Sequence, residues 1–221
     1  MATRVTFDAS ASGKGSGTSI AFSHTVGSGS NRLLIVTTSS ETRGPTDITY
    51  GSAALTKLAS HGTDSGPLSV VQLWYLVAPA SGTDTITATF AVNTNAVCGS
   101  SSWSGTHQDK PFGQRDKAKG TSTAISVDLI WPGADEVLID VVATQKFLLP
   151  TSLTVGAGQT QLLNTGQGAV RAGSSYMAGE GLATSTMSWT STANDTSWVI
   201  FAVSITPEFK LRSRALCGSG Y

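Results

Sequence analysis

The chain of 221 residues carries 14 Lys plus Arg against 14 Asp plus Glu, a formal net charge of zero, and this balance excludes a basic nucleic-acid binder. Thirty serines, 30 threonines and 24 glycines stand against only 13% charged residues, so the chain is neither an acidic disordered tail nor a coiled coil. The length suits one large all-β domain or two small ones.

In chain order, the opening MATRVTFDAS lacks an apolar stretch of signal-peptide length, so synthesis in a host cytoplasm without export by that route is expected. Short runs rich in Val, Ile, Thr, Phe and Trp alternate with Gly/Ser/Asn/Asp clusters, which predicts strands and turns in place of helices. Strands are predicted at 4–8, 18–26, 32–39, 54–60, 68–77, 84–92, 96–104, 123–130, 136–144, 160–163, 169–177, 184–190 and 197–206. Between the first two, Gly13-Lys14-Gly15-Ser16-Gly17 lacks the Ser or Thr that must follow the lysine of a phosphate loop, and it reads as a mobile hairpin turn. Thr85, Thr87 and Thr89 alternate with Ile86, Ala88 and Phe90, so one face of that strand is expected to be wet. Both alternating sets of 68–77 are apolar, which predicts cover on both faces, by core on one and a partner subunit on the other. The charged stretch 107–120, HQDKPFGQRDKAKG, reads as a surface loop joining two halves. The apolar runs at 33–36 and 137–142 are strand-sized, too short to span a bilayer, and no membrane partner is expected.

Segments of the first half reappear in order in the second at an offset of about 101 to 105 residues. Thr18–Phe22 matches Thr123–Val127, Leu33–Val36 matches Val137–Asp140, and Ile48-Thr49-Tyr50-Gly51 matches Leu153-Thr154-Val155-Gly156; Tyr75, Ile86 and Val97 match Tyr176, Met187 and Val199. Shared Thr/Ser-rich composition would also produce some of this likeness. The expected fold is an all-β, antiparallel, jelly-roll-like β-sandwich over 1–207, with similar halves at about 17–106 and 122–206, followed by an extended tail at 208–221.

No catalytic constellation is legible. His24, His61 and His107 come without a nucleophile elbow and read as exposed and without a role. Asp84, Asp128, Asp140 and Glu180 could be nominated for glycosidase chemistry, but no spacing selects a pair. Asp140 interrupts an apolar run, and alternation predicts that it faces outward. Cys98 and Cys217 have no partners at metal-ligand spacing, so neither a metal nor a cofactor is expected. Cys217, near a chain end, could be a free thiol or form an inter-chain disulfide outside a reducing compartment. The sequon Asn194-Asp195-Thr196 has no other support as a glycosylation site. Four of the five tryptophans, Trp74, Trp103, Trp189 and Trp198, lie in predicted strands, where core packing is the commoner use; Trp131 does not. In the tail, Phe209, Leu211 and Leu216 interleave with Lys210, Arg212 and Arg214. That pattern could order along a neighbouring subunit, with Lys110, Phe112 and Arg115 of the charged stretch as further docking residues.

The stretches SVVQLWYLVAPASGTDTITATF, SSSWSGTHQDKPFGQ, LTVGAGQTQLL and TMSWTSTANDTSWVIFAVSITP resemble β-sandwich domains of phage virion proteins and bacterial surface proteins, over about residues 17–206. The loop 108–113 and the turn 155–159 are similar to structural motifs of those domains, and no catalytic residue carries over. The missing secretion signal and the added tail depart from the exported members. The resemblance therefore implies a non-enzymatic phage virion structural protein, a capsid decoration or tail-associated accessory protein, located in the virion, with other virion proteins as partners and as a homo-oligomer. The alternative it implies is a carbohydrate-binding head of a fibre or adhesin, with a surface glycan as ligand.

Overall fold

Two-residue alternation dominates the chain, and in the computed structural model, which describes residues 4–64, 68–145, 152–192 and 197–208, every regular element is a β-strand. The first half supplies β1 (Thr6–Val26), β2 (Leu33–Ser40), β3 (Asp47–Tyr50), β4 (Ala53–Ala54), β5 (Thr56–Gly62), β6 (Val70–Val77) and β7 (Gly82–Ser104). The second supplies β8 (Phe112–Gly120), β9 (Ala124–Ile130), β10 (Val137–Gln145), β11 (Leu153–Val155), β12 (Thr160–Gln167), β13 (Val170–Ala178), β14 (Thr184–Ser191) and β15 (Ser197–Ile205). All ladders are antiparallel.

Both halves trace the same path. The second makes an inner sheet in the order β12-β13-β10-β15-β8 and an outer sheet β11-β14-β9. The first makes β5-β6-β2-β7-β1 and β4-β3-β7-β1, because β1 and β7 are each long enough to serve both layers. Residues 6–17 of β1 pair with 94–104 of β7, and residues 19–26 pair with 82–89, leaving 90–93 unpaired with β1 at the crease. The ladder positions correspond: Phe22 faces Ile86 as Val127 faces Met187, Ile35 faces Tyr75 as Ile139 faces Tyr176, and Val97 faces Ser39 as Val199 faces Ala143.

Three apolar cores hold four layers together. The central one joins the two inner sheets, with Leu33, Ile35, Leu73, Val97 and Trp103 against Ile139, Val141, Phe201, Val203 and Ile205. A second lies between the inner and outer sheets of the first half, around Val36, Ile48, Trp74, Ile86 and Cys98, and a third does the same in the second half, around Val127, Leu138, Met187, Trp189 and Ile200. The inner strands β2, β10 and β15 are accordingly buried at every residue. β6 is covered on both faces, and the cover on its second face is the chain's own outer layer around Trp74, not a partner subunit. Thr85 and Thr89 are exposed while Ile86, Ala88 and Phe90 are buried, so the wet face lies on the outer sheet.

Two segments differ from their sequence-based reading. The stretch 107–120 is a loop only as far as Pro111; from Phe112 it is β8, the edge strand of an inner sheet. Its charges mark an exposed edge. The glycine-rich segment 13–17 is no turn but part of β1, and its glycines serve the crease. A Cβ on Gly13 would lie 2.6 Å from the Phe22 ring and 2.9 Å from the Phe22 Cβ, so glycine lets the two arms of β1 close on each other, whereas a Cβ on Gly15 would meet Ile20 at an ordinary 3.6 Å. Gly13→Val is therefore expected to lower stability by about 1–3 kcal/mol and Gly15→Ala by less than about 1 kcal/mol, both read from urea unfolding.

Candidate functional site

Packing the inner sheets face to face creates two pseudo-equivalent seams along their margins, where β1 lies over β12 on one side and β5 lies near β8 on the other. The β1/β12 seam is closed. Lys14 Nζ donates to Thr165 Oγ1 at 3.1 Å and to the Gly166 carbonyl at 3.2 Å, and a hollow of ≈ 10 Å³ lies under Leu162 and Leu163. Nearby, Glu41 accepts from the Ala169 amide at 2.6 Å and from Asn95 Nδ2 at 2.9 Å, which ties the halves together on that side.

The β5/β8 seam is open. A groove of ≈ 440 Å³ runs between Leu58, Ala59 and His61 on β5 and Arg115 and Lys117 on β8, floored by Phe201, and a second hollow of ≈ 340 Å³ continues it past Lys110, Pro111 and Phe112. The ladders explain the difference residue by residue. Where the closed seam has Ser10, Ser12 and Lys14 opposite Ser101, Gly99 and Val97, the open one has Arg115, Lys117 and Lys119 opposite Val203, Phe201 and Val199. On the facing strand, Thr165 opposite Ala172 is replaced by His61 opposite Val71. Gly99 lets Leu163 approach to within 3.1 Å of where its Cβ would be, whereas Phe201 fills that place with a ring tilted at 34° to His61, centroids 5.3 Å apart. Small residues shut one margin, and cations with an aromatic floor prop the other apart. Lys119 bridges the gap to Asp64 in an exposed ion pair, which contributes little to stability. Burial, followed by the charges of Lys117 and Arg115, holds the His61 pKa below its usual 6.5, so at neutral pH the positive charge of the groove resides on Arg115, Lys117 and Lys110.

Three of the sequence-predicted docking residues, Lys110, Phe112 and Arg115, meet here, with Phe112 anchored edge-on against Tyr75 at 5.0 Å. Phe209, Lys210, Leu211, Arg212, Arg214, Leu216 and Cys217 lie outside the described residues, as does the sequon at 194–196. Sequence reading missed Lys117, Lys119, His61, Leu58 and Phe201. The period-2 placement of Arg115, Lys117 and Lys119 was the available signal for the first two, but the partner strand β5 is remote in sequence and left none.

No family model matches the chain, and no curated protein is significantly similar to it. Its reading therefore rests on its own residues.

Among those residues the histidines are not the exposed bystanders that the sequence suggested. His24 is buried at 2%, its Nδ1 is 2.9 Å from Ser100 Oγ, and its Nε2 has no partner among the described residues. Burial lowers its pKa, opposed by the charge of Asp8. His107 Nδ1 accepts from the Asp109 and Lys110 amides at 3.2 Å and shapes the turn into β8. Cys98 is a free, buried thiol whose pKa burial raises to about 12, and among the described residues no group of three or more His, Cys, Asp or Glu could hold a metal.

Asp140 corrects the sequence reading most sharply. Alternation does turn it away from Ile139, but that face is roofed by the outer sheet, and Asp140 is completely buried. Its carboxylate accepts from Trp189 Nε1 at 2.7 Å, the Ser175 amide at 2.7 Å and Ser175 Oγ at 3.0 Å, with Gln159 Nε2 at 3.5 Å. Asp128, by contrast, is exposed on β9, bonded to Thr186 Oγ1, so the two carboxylates share no cleft. The matching positions in the first half are Val36, Trp74 and Ala88, where the second has Asp140, Ser175 and Trp189. The large ring has moved from the inner sheet to the outer one, and an aspartate has replaced a valine to receive its N–H. Asp140 is thus a packing device. Burial raises its pKa from 3.8 to about 7, against the pull of the Trp189 and Ser175 hydrogen bonds. A raised folded-state pKa means stability that is fully present below the unfolded value and lost as pH rises through the folded one. The thermal midpoint should therefore fall between about pH 4 and pH 7, by the equivalent of at most about 4 kcal/mol, and Asp140→Asn should flatten that decline in a pH series of melting curves. His24, shifted downward, works in the opposite sense at and below its ordinary 6.5 and is untouched by that substitution.

Proposed function

We propose that this chain is a non-enzymatic structural protein of an assembled particle, docking onto neighbouring subunits through the β5/β8 seam. The observation that carries this reading is the contrast between two pseudo-equivalent margins of one fold, one zipped shut by Lys14 and the other held open by Arg115, Lys117 and Phe201 over ≈ 440 Å³. A groove with an apolar floor and a charged wall suits capture of a protein surface. The setting we propose is a phage virion, with the chain as a capsid decoration or tail-associated accessory protein made in the host cytoplasm and acting as a homo-oligomer. That setting is carried only by the sequence motifs quoted above, with no matching family behind them, and it accords with exposed outer-strand positions rich in threonine and serine, which resist non-specific association without many charges.

One observation favours the alternative of a glycan-binding head. Trp131 is 69% exposed beside Ile130 at 49% and Leu182 at 51%, and its backbone stands at φ 54°, a conformation that bulky residues rarely adopt. The other four tryptophans are buried. The two readings separate by experiment. In co-sedimentation of the full chain with particles stripped of it, the double variant Arg115→Glu/Lys117→Glu should lose about tenfold or more of its binding while Trp131→Ala retains it. Particle binding that is indifferent to the seam, together with glycan-array retention lost in Trp131→Ala, would overturn the assembly reading in favour of the glycan one.

A further inference from the structure

Resting on the docking role of the seam, we infer that its occupant is an extended acidic segment of a partner protein, added as a strand to the open edge of β8. β8 is the terminal strand of its sheet, paired on one side with β15 and on the other with no strand among the described residues. The Lys117 amide donates at 2.7 Å to the carboxylate of its own neighbour Asp116.

The side chains match the backbone. Arg115, Lys117 and Lys119 lie opposite Val203, Phe201 and Val199, whose side chains face the central core, so the three cations share the seam face of β8. They recur every second residue, about 6.6–6.8 Å apart, which is the repeat of same-face side chains on a β-strand. A partner strand with Asp or Glu at alternate positions would set its carboxylates directly across from Arg115 and Lys117, with Lys119 already held by Asp64, while its backbone completes the edge and its intervening side chains turn away. Charge selects this occupant over the chain's own C-terminal segment, since Lys210, Arg212 and Arg214 repeat the sign of the groove. The floor of Leu58 and Phe201 gives the stems of glutamates an apolar surface.

The probe is a blocked, fluorescein-labelled peptide with glutamate at every second position and Thr or Val between, titrated with the full chain by fluorescence anisotropy. Binding is expected at low salt. It should weaken about tenfold with glutamine in place of glutamate, by a similar factor with N-methylation of the edge-pairing amides, and again in Arg115→Ser/Lys117→Ser, which installs the residues of the closed seam. Both positions are exposed, and unchanged melting of the variant would confirm that its fold is intact. Equal binding of the N-methylated peptide, or its displacement by polyphosphate at matched charge, would overturn the strand proposal and make the seam a site for anions in general. Absence of binding would also overturn it, and the cations would then be a guard against edge pairing. If particle co-sedimentation still fails in the Arg115/Lys117 variants after either negative result, docking through the seam stands and only the occupant falls; if neither assay responds to those residues, both fall.

Discussion

Four layers can stack only if the two in the middle are apolar on both faces, and that constraint governs the molecule. β2, β10 and β15 carry no exposed residue along their length, and their alternate side chains serve two cores at once. Polar atoms placed there can find partners only inside the protein. Ser39 Oγ donates to the Val142 carbonyl across the central core and the Trp189 and Ser175 donors gather on Asp140, whereas Thr38 Oγ1, Trp198 Nε1 and Ser204 Oγ are buried with no partner among the described residues. The abundance of serine and threonine follows in part from this, because a small hydroxyl can sit in a doubly covered strand at little volume and be satisfied by a neighbouring carbonyl.

The same constraint explains what the amino acids revealed in advance and what they concealed. Runs such as Leu33–Val36 and the two-sided pattern of 68–77 announced buried strands, since burial leaves its mark on every residue. β8 was hidden because an edge strand is exposed on one margin and its charges imitate a loop. The continuity of β1 was hidden because the glycines at its crease carry the composition of a turn, although they answer to Phe22 lying across them. Asp140 misled for a third reason: alternation fixes the face on which a residue lies but is silent about whether another sheet covers that face. The seam needed all of this at once, and only its cations on the β8 side had a sequence signal of their own.

Within a shared path, the two halves diverge by exchange of volume and by exchange of closure. The exchange among Val36, Trp74 and Ala88 on one side and Asp140, Ser175 and Trp189 on the other conserves bulk while shifting it between layers, as close packing demands. The exchange at the margins conserves nothing, for Arg115, Lys117 and Phe201 enlarge where Ser12 and Gly99 allow contact. Such an asymmetry leaves one margin as joinery and the other as surface, so a single fold used twice yields both cohesion and a place for something else.

The sharing of β1 between two layers also has a consequence in time. Neither of its arms has a ladder until residues 82–104 of β7 exist, so during synthesis the first strand made stays unpaired until the whole first unit has emerged. The second unit has its own outer and inner strands, β9 and β8, on separate elements, and it closes only when β15 arrives almost at the end of the described chain. In the order of synthesis, each unit's ladder is thus complete only when its last strand is made, β7 for the first and β15 for the second.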